Sequence, residues 1–291
     1  MAAIRTDDPA ARNGSPAAPS CNPVIKIAEP IALIAVPATL LICGFFQFNQ
    51  TALLTLVVAV VALGVFFAGW EASRPPLRQV MPTAVLGALA AAGRILFAPI
   101  PDVKPVTAIC ILAGVVFGRR SGFMVGAIAA LVSNFFFGQG PWTPWQMYSW
   151  GLVGYLAGVL ADAGVFGACG QTGGLDRGGR EHGDQVCGQA GGSLGQNAGR
   201  GHQSNKGRFA VYVFGFLSCY LYGLIMNTWT LVGFVHPITW QTALVVYGAG
   251  FPLDTVHAIA TVVFLGLIFV PWRRKLERIK RKHALGSDRS V

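Results

Sequence analysis

Charge is scarce in this sequence, and acidic residues are the scarcest charged type. Asp and Glu together account for 12 of the 291 residues, and all charged residues for 12%, whereas a soluble domain carries roughly 25%. Hydrophobic residues make up 53% of the chain, and the mean hydropathy is +0.55. This composition excludes a soluble globular protein. So few carboxylates also argue against a catalytic site built on paired acids.

The sequence also lacks the short motifs of several common catalytic and metal sites. It contains no HExxH zinc motif, no GxxxxGK[ST] phosphate loop and no CxxC pair. We therefore predict that the chain is not an enzyme, that it has no metal site or cofactor, and that it carries no ATPase of its own. Of the six cysteines, Cys169 and Cys187 share a loop that we place in the cytoplasm, where a stable disulfide is not expected.

Eight long apolar segments occupy most of the chain, and their apolar residues are continuous rather than alternating. Because the backbone must satisfy its own hydrogen bonds in lipid, such runs predict helices rather than a barrel. The predicted fold class is an all-α polytopic membrane protein. The segments at 106–117 and 122–137 are short for a bilayer, which needs roughly 20 residues, and this favours a hairpin of tilted or partly buried helices there. The eight segments are 31–48, 51–70, 80–97, 106–117, 122–137, 145–160, 209–235 and 245–270.

The basic residues predict the orientation of these segments. Lys and Arg cluster in alternate connections, at 74–78, 119–120, 177–208 and 273–289, while the intervening connections and helix ends carry only Arg94 and Lys104. Cytoplasmic loops of membrane proteins are enriched in these residues, so both termini are predicted to be cytoplasmic. The net charge of +10 is thus explained by membrane orientation, and no nucleic-acid partner is expected.

Three polar stretches lie outside the apolar segments. Residues 1–30 are rich in Pro and Ala without a signal-peptide pattern, and predict a disordered cytoplasmic N-terminus. Residues 167–207 are glycine-rich and of low complexity, and predict a flexible cytoplasmic insertion. The basic tail, 272–291, is predicted to be helical over 273–282 and to contact either anionic lipid headgroups or a partner protein.

Polar side chains are concentrated in the outer halves of the last four segments and in the outer loops. Intramembrane polar groups usually face a cavity or one another, so this shared depth predicts a small-molecule site at the outer face. Two other interpretations stay open: an interfacial belt for each tryptophan, and a local Asp254–His257 pair at i and i+3 on one helix. The candidate binding residues are Arg94, Asp102, Asn134, Gln139, Trp142, Trp145, Gln146, Asn227, Trp229, Tyr247, Asp254 and His257.

Small residues recur every fourth position on the segment 80–97, at Ala84, Ala88 and Ala92. This spacing forms a stripe along one helix face and lets another helix backbone approach closely. The stripe predicts either packing within this chain or a docking face for a second membrane subunit.

Three motifs give the chain a family resemblance: PIPDVKPVT at 99–107, GRRSG at 118–122 and SNFFFGQGPWTPWQM at 133–147. With them, residues 80–271 apart from the glycine-rich insertion resemble the substrate-binding S component of energy-coupling factor (ECF) transporters. The resemblance implies a six-helix core, with the segments at 31–71 as an additional N-terminal pair, in the plasma membrane of a prokaryote. The third motif, at 133–147, is most similar to the corresponding segment of S components associated with cobalamin uptake.

The resemblance also implies partners and a mode of action. A vitamin would bind at the outer face beneath the loop at 94–104, and the alanine stripe would dock on the coupling membrane subunit. Two separate ATPase subunits would supply the energy. Two alternatives remain from the residues alone: an autonomous proton-coupled secondary transporter using Asp254 and His257, and a membrane enzyme or assembly factor without a transport role.

Overall fold

A computed structural model describes residues 23–46, 51–72, 77–166 and 205–285, and within these ranges all regular structure is helical. The predicted all-helical class and the number of eight helices are confirmed, with bounds that differ by a few residues at most ends. The residues 1–22 and 167–204, which hold most of the predicted disordered N-terminus and of the predicted insertion, lie outside the described ranges. The helices are α1 (Pro23–Phe46), α2 (Thr51–Ala72), α3 (Leu77–Leu96), α4 (Val106–Phe117), α5 (Arg119–Phe137), α6 (Thr143–Asp162), α7 (Asn205–Phe234) and α8 (Trp240–Leu285).

The first helix begins earlier than the sequence predicted. Residues 23–30 were predicted to belong to the disordered N-terminus, but α1 starts at Pro23. Proline suits the first helical position because its missing N–H has no intrahelical partner there and its φ is already helical. The apolar residues that follow Pro23 then extend the helix into the predicted membrane segment.

Not every helix is long enough to cross a bilayer alone. Within the described residues, three helical stretches have the length and composition of a membrane span: Arg119–Phe137, Lys206–Phe234 and Trp240–Lys280. By contrast, α4 has 12 residues and a length of about 18 Å, against about 30 Å of hydrocarbon. Its residues 106–116 are all buried, so neighbouring helices rather than lipid surround it.

Glycines allow α4, α5 and α6 to pack backbone against backbone. A Cβ added at Gly154 of α6 would overlap the backbone of Gly122 on α5, and one at Gly114 of α4 would overlap the carbonyl oxygen of Gly154. Helix α6 also contacts α2 and α7, so it lies at the centre of the bundle. Close backbone approach of this kind gives extensive van der Waals contact, which helps to hold membrane helices together.

The N-terminal helix pair packs on this centre rather than standing apart. Phe66 of α2 stacks on Phe123 of α5, with ring centroids 3.9 Å apart, and meets the edge of Tyr155 of α6. The hydroxyl of Tyr148 on α6 donates a hydrogen bond to the carbonyl oxygen of Leu33 on α1, at 2.6 Å. The pair thus contributes to the same hydrophobic core as α3 to α7.

The last helix continues well past its apolar segment. At 46 residues α8 is about 69 Å long, roughly twice the hydrocarbon thickness, and it runs through Pro271. Beyond that proline, Trp272 and Leu276 pack against the core, and Lys280 donates a 2.8 Å hydrogen bond to the carbonyl oxygen of Val116 at the end of α4. The helix predicted over 273–282 is confirmed, and it is an extension of α8.

Candidate functional site

One end of the bundle carries the loops 97–105, 138–142 and 235–239, and it is called the outer end below after the orientation that the basic residues predict. At this end, Arg94 in the last turn of α3 reaches across to α5 and α6. Its Nη1 donates hydrogen bonds to the hydroxyl of Ser133 and to Oδ1 of Asn134, both at 2.7 Å. Its Nη2 is 3.4 Å from Oε1 of Gln146. These bonds join three helices that are distant in sequence around one guanidinium group.

The guanidinium of Arg94 is buried, and its neighbours are neutral. The residue is 7% exposed, and its Nε has no hydrogen-bond partner among the described residues. The group lies over the rings of Phe137 and Trp150, with its central carbon 4.8 and 4.9 Å from their centroids. Cation–π contacts contribute about 0.5–2 kcal/mol each, whereas burying an ion costs several kcal/mol. The rings therefore offset only part of the cost of burying this charge.

The same network fixes the loop that connects α5 and α6. Asn134 donates from Nδ2 to the hydroxyl of Thr143 and to Oε1 of Gln146, at 3.0 and 2.9 Å. The Thr143 hydroxyl donates to Oε1 of Gln139 at 2.9 Å, and Gln139 in turn donates to the backbone oxygen of Leu131. These hydrogen bonds connect Asn134, Thr143 and Gln139 in series, so the loop 138–142 is anchored at both of its ends.

An aromatic path leads from Arg94 to the last two helices. The ring of Trp150 on α6 stacks on Tyr222 of α7, with centroids 4.8 Å apart, and Tyr222 meets the edge of His257 on α8. The Nε2 of His257 is hydrogen-bonded to the hydroxyl of Thr107, at 2.9 Å, in the first turn of α4. Side chains of α3, α4, α6, α7 and α8 therefore meet in one continuous buried cluster.

A second group of polar side chains lies between α7 and α8. Asn227 donates to Oδ2 of Asp254 at 3.3 Å, and Tyr247 shares a hydrogen bond of 2.6 Å with the hydroxyl of Thr228. Beside them is an open cavity of about 340 Å³. Its lining is mainly aromatic and aliphatic, with one carboxylate: Tyr220, Leu221, Leu224, Tyr247, Phe251 and Asp254.

The remaining candidate residues have individual surroundings. Trp145 is fully buried in the hydrophobic core and does not line the outer loop. Trp142 is 36% exposed, and its ring lies against Gly140. Asp102 forms an ion pair of 3.2 Å with Lys104 in the loop after α3. Trp229 is largely buried against the edge of Phe234.

The predicted Asp254–His257 pair is resolved into two separate contacts. His257 is hydrogen-bonded to Thr107 and Asp254 to Asn227, and no hydrogen bond or ion pair joins the two residues in the described part of the chain. Within the same ranges, no group of three or more His, Cys, Asp or Glu side chains has the arrangement of a metal site.

Sequence reasoning missed several members of the buried cluster. Ser133 and Thr143 flank predicted residues, and their positions beside Asn134 and within the PWTPW segment were available signals. For Trp150 and Tyr222 the sequence gives no comparable signal, because each lies in a helix that is apolar around most of its circumference, whereas Thr107 is the last residue of the PIPDVKPVT motif.

Replacing Asn134 with Ala should destabilise the protein by about 3 kcal/mol. The substitution removes the hydrogen bonds to Arg94, Thr143 and Gln146 at once, and unsatisfied buried partners cost about 1–3 kcal/mol each. Thermal unfolding of the purified protein in detergent measures the change. Gln241→Ala, which alters an exposed amide in the first turn of α8, is the control; equal unfolding temperatures for the two variants would contradict the structural role of Asn134.

Comparison with known proteins identifies one related family. A family model described as the S component of an ECF-type riboflavin transporter matches residues 76–167, which cover α3 to α6 and about one third of the chain. This match supports an S component of an ECF transporter, and that family consists of membrane transport proteins. No curated protein and no solved structure matches the chain.

Proposed function

We propose that this protein is the membrane-embedded, substrate-binding subunit of an ATP-driven ECF-type importer. The observation that carries the proposal is the buried network around Arg94, Asn134 and Gln146 at the outer end of the bundle. All three residues fall in the segment that matches the S-component family. A concave apolar setting with a few convergent polar groups is the usual composition of a small-molecule site.

In this proposal the substrate is a vitamin-type molecule captured at the outer end. In addition to the Arg94 network, the α7–α8 cavity beside Asp254 and Tyr247 would contribute to the site, although it lies outside the matched segment. The sequence resemblance favours cobalamin, and the matching family model concerns riboflavin transport. Cobalamin and riboflavin are therefore the first two candidate substrates. In this proposal both termini of the chain lie in the cytoplasm of a prokaryote.

Delivery across the membrane requires partners that the chain does not contain. A coupling membrane subunit would dock on α3, where the stripe of Ala84, Ala88 and Ala92 is exposed on the surface of the bundle. Two ATPase subunits would supply the energy, in keeping with the absence of a GxxxxGK[ST] motif from this sequence. In this proposal the coupling subunit contacts α3, and the substrate groups lie at its outer end and beyond.

Ligand-dependent stability tests this function directly. We expect one compound from a panel of cobalamin, riboflavin, folate, thiamine, biotin and pantothenate to raise the unfolding temperature of the purified protein. A ligand at 100 times its Kd stabilises the folded state by about 2.7 kcal/mol. If no compound in the panel shifts the unfolding transition at millimolar concentration, vitamin capture by this chain is refuted.

The Trp142→Ala variant should bind the stabilising compound at least about 10-fold more weakly than the wild type. The aromatic ring of Trp142 in the loop 138–142 supplies apolar contact that alanine lacks, and aromatic contacts dominate many binding sites. Trp240→Ala is a matched control, because Trp240 lies at the same end, is 73% exposed and is outside the matched segment. Affinity by isothermal titration that is equal in both variants would remove Trp142 from the site.

The proton-coupled alternative receives no support from the hydrogen bonds, because Asp254 and His257 have different partners. Uptake assays discriminate the two functions: an ECF-type importer requires the coupling and ATPase subunits, whereas a secondary transporter works alone and is stopped by an uncoupler.

A further inference from the structure

We propose that Arg94 recognises an anionic group of the substrate, a carboxylate or a phosphate, through the edge of the guanidinium formed by Nε and Nη2. The inference rests on the proposed function and adds to it the chemical class of the molecule that is bound.

The hydrogen bonds of Arg94 are concentrated at Nη1, and the buried Nε on the other edge of the guanidinium has no acceptor among the described residues. Nη1 has two hydrogens and two acceptors, Ser133 and Asn134, each at 2.7 Å. Nη2 has a single acceptor, Gln146, at 3.4 Å, and Nε has none among the described residues. Because the free hydrogens of Nε and Nη2 point in parallel from one side of the planar group, they match the two oxygens of a carboxylate or phosphate.

The charge of Arg94 is also uncompensated within the described residues. All three of its hydrogen-bond acceptors are neutral oxygens, and no carboxylate lies within ion-pair distance of it in those ranges. Asp102, whose charge acts on Arg94 from farther away, is paired with Lys104 at 3.2 Å. A buried charge in a membrane protein is normally paired or lines a substrate path, and at this position the substrate is the remaining source of a counter-charge.

The residues around Arg94 hold the Nε–Nη2 edge of its guanidinium in a defined plane. The rings of Phe137 and Trp150 pack against the guanidinium, and Ser133 and Asn134 fix its far end. A fixed planar fork favours bidentate oxyanions over single acceptors such as a hydroxyl or amide oxygen. The site therefore discriminates by charge as well as by shape.

Matched pairs of ligands test this inference on the wild-type protein. Each pair differs in one anionic group: flavin mononucleotide and riboflavin, cobinamide phosphate and cobinamide, pantothenate and panthenol, biotin and biotinamide. We expect at least one anionic member to bind, and to bind at least 10-fold more tightly than its neutral counterpart, in titration calorimetry of the purified full-length chain. Thiamine, a cation, completes the set.

The outcomes separate this inference from the proposed function. Equal binding of both members of a pair, or binding restricted to neutral or cationic compounds, overturns the role of Arg94 and leaves vitamin binding intact. If no compound in either set binds, the proposed function fails and this inference with it.

Two variants then assign the discrimination to Arg94 itself. For the ligand pair that binds the wild type, Arg94→Gln should bring the ratio of the affinities of the anionic and the neutral ligand close to one, because the planar guanidinium and its charge are both removed. Arg94→Lys keeps the charge without the fork and should retain an intermediate ratio, so it remains informative where the glutamine variant does not fold. A ratio in Arg94→Lys that equals the wild-type ratio would overturn bidentate recognition.

Discussion

Gly154→Val should destabilise the protein by at least about 3 kcal/mol, a large share of its total stability. A Cβ at this position would lie 2.5 Å from the carbonyl carbon of Gly122 and 3.0 Å from its Cα. Both are backbone atoms, so no side-chain rotation relieves the overlap, and α5 and α6 must separate. Overpacking a core costs about 1–3 kcal/mol even where side chains can adjust, and total stabilities are about 5–15 kcal/mol.

The expected result is a low yield of monodisperse protein and an early thermal transition in detergent. Gly266→Val is the matched control, because Gly266 is also a helical glycine in an apolar segment, but a Cβ there would meet nothing within 4 Å. Wild-type yield and stability for Gly154→Val would show that the α5–α6 contact is looser than the structure places it.

Ala88→Leu should strongly reduce co-purification with the coupling subunit while leaving ligand binding unchanged. Ala88 is exposed at the middle of the alanine stripe on α3, and small-residue stripes work by letting a second helix approach to backbone distance. A leucine side chain would hold the partner helix away and cost most of the contact along the stripe. We expect at least about a 10-fold loss of the complex, which corresponds to about 1.4 kcal/mol.

Pull-down of the coupling subunit, combined with calorimetric ligand titration, measures both properties on one preparation. The control is Ala68→Leu, which enlarges an exposed alanine on α2 instead of α3. Undiminished capture of the coupling subunit by Ala88→Leu would place the docking surface elsewhere on the bundle. Loss of both capture and ligand binding would instead indicate a folding defect and contradict a purely interfacial role.

The helices of this protein are predictable because their apolar segments are continuous. The short segment at 106–117 already indicated partial burial, and α4 is buried along nearly its whole length. The helical extension of α8 was also indicated by its pattern of basic residues. What the sequence could not specify is where the end of α8 packs, since Lys280 bonds the carbonyl oxygen of Val116, 164 residues away.

The candidate site shows the same division between local and long-range information. The shared depth of Arg94, Asn134 and Gln146 follows from their positions along predicted helices, and the structure brings these three residues into contact. The burial of Trp145 does not follow from the sequence, because the prolines and polar residues next to it are typical of an exposed loop. Tyr222 and Trp150 could not be assigned either, since the faces of α6 and α7 differ little in polarity.

One consequence concerns the two hydrogen bonds that connect α4 and α8. Thr107 near the outer end of α4 is bonded to His257, and Val116 near its other end is bonded to Lys280. The shortest helix of the core is thus clamped at both ends by the longest, and sliding of α4 along α8 must strain both bonds. A displacement of α4 relative to α8 would therefore act on both hydrogen bonds, including the one to Lys280 in the basic region of α8.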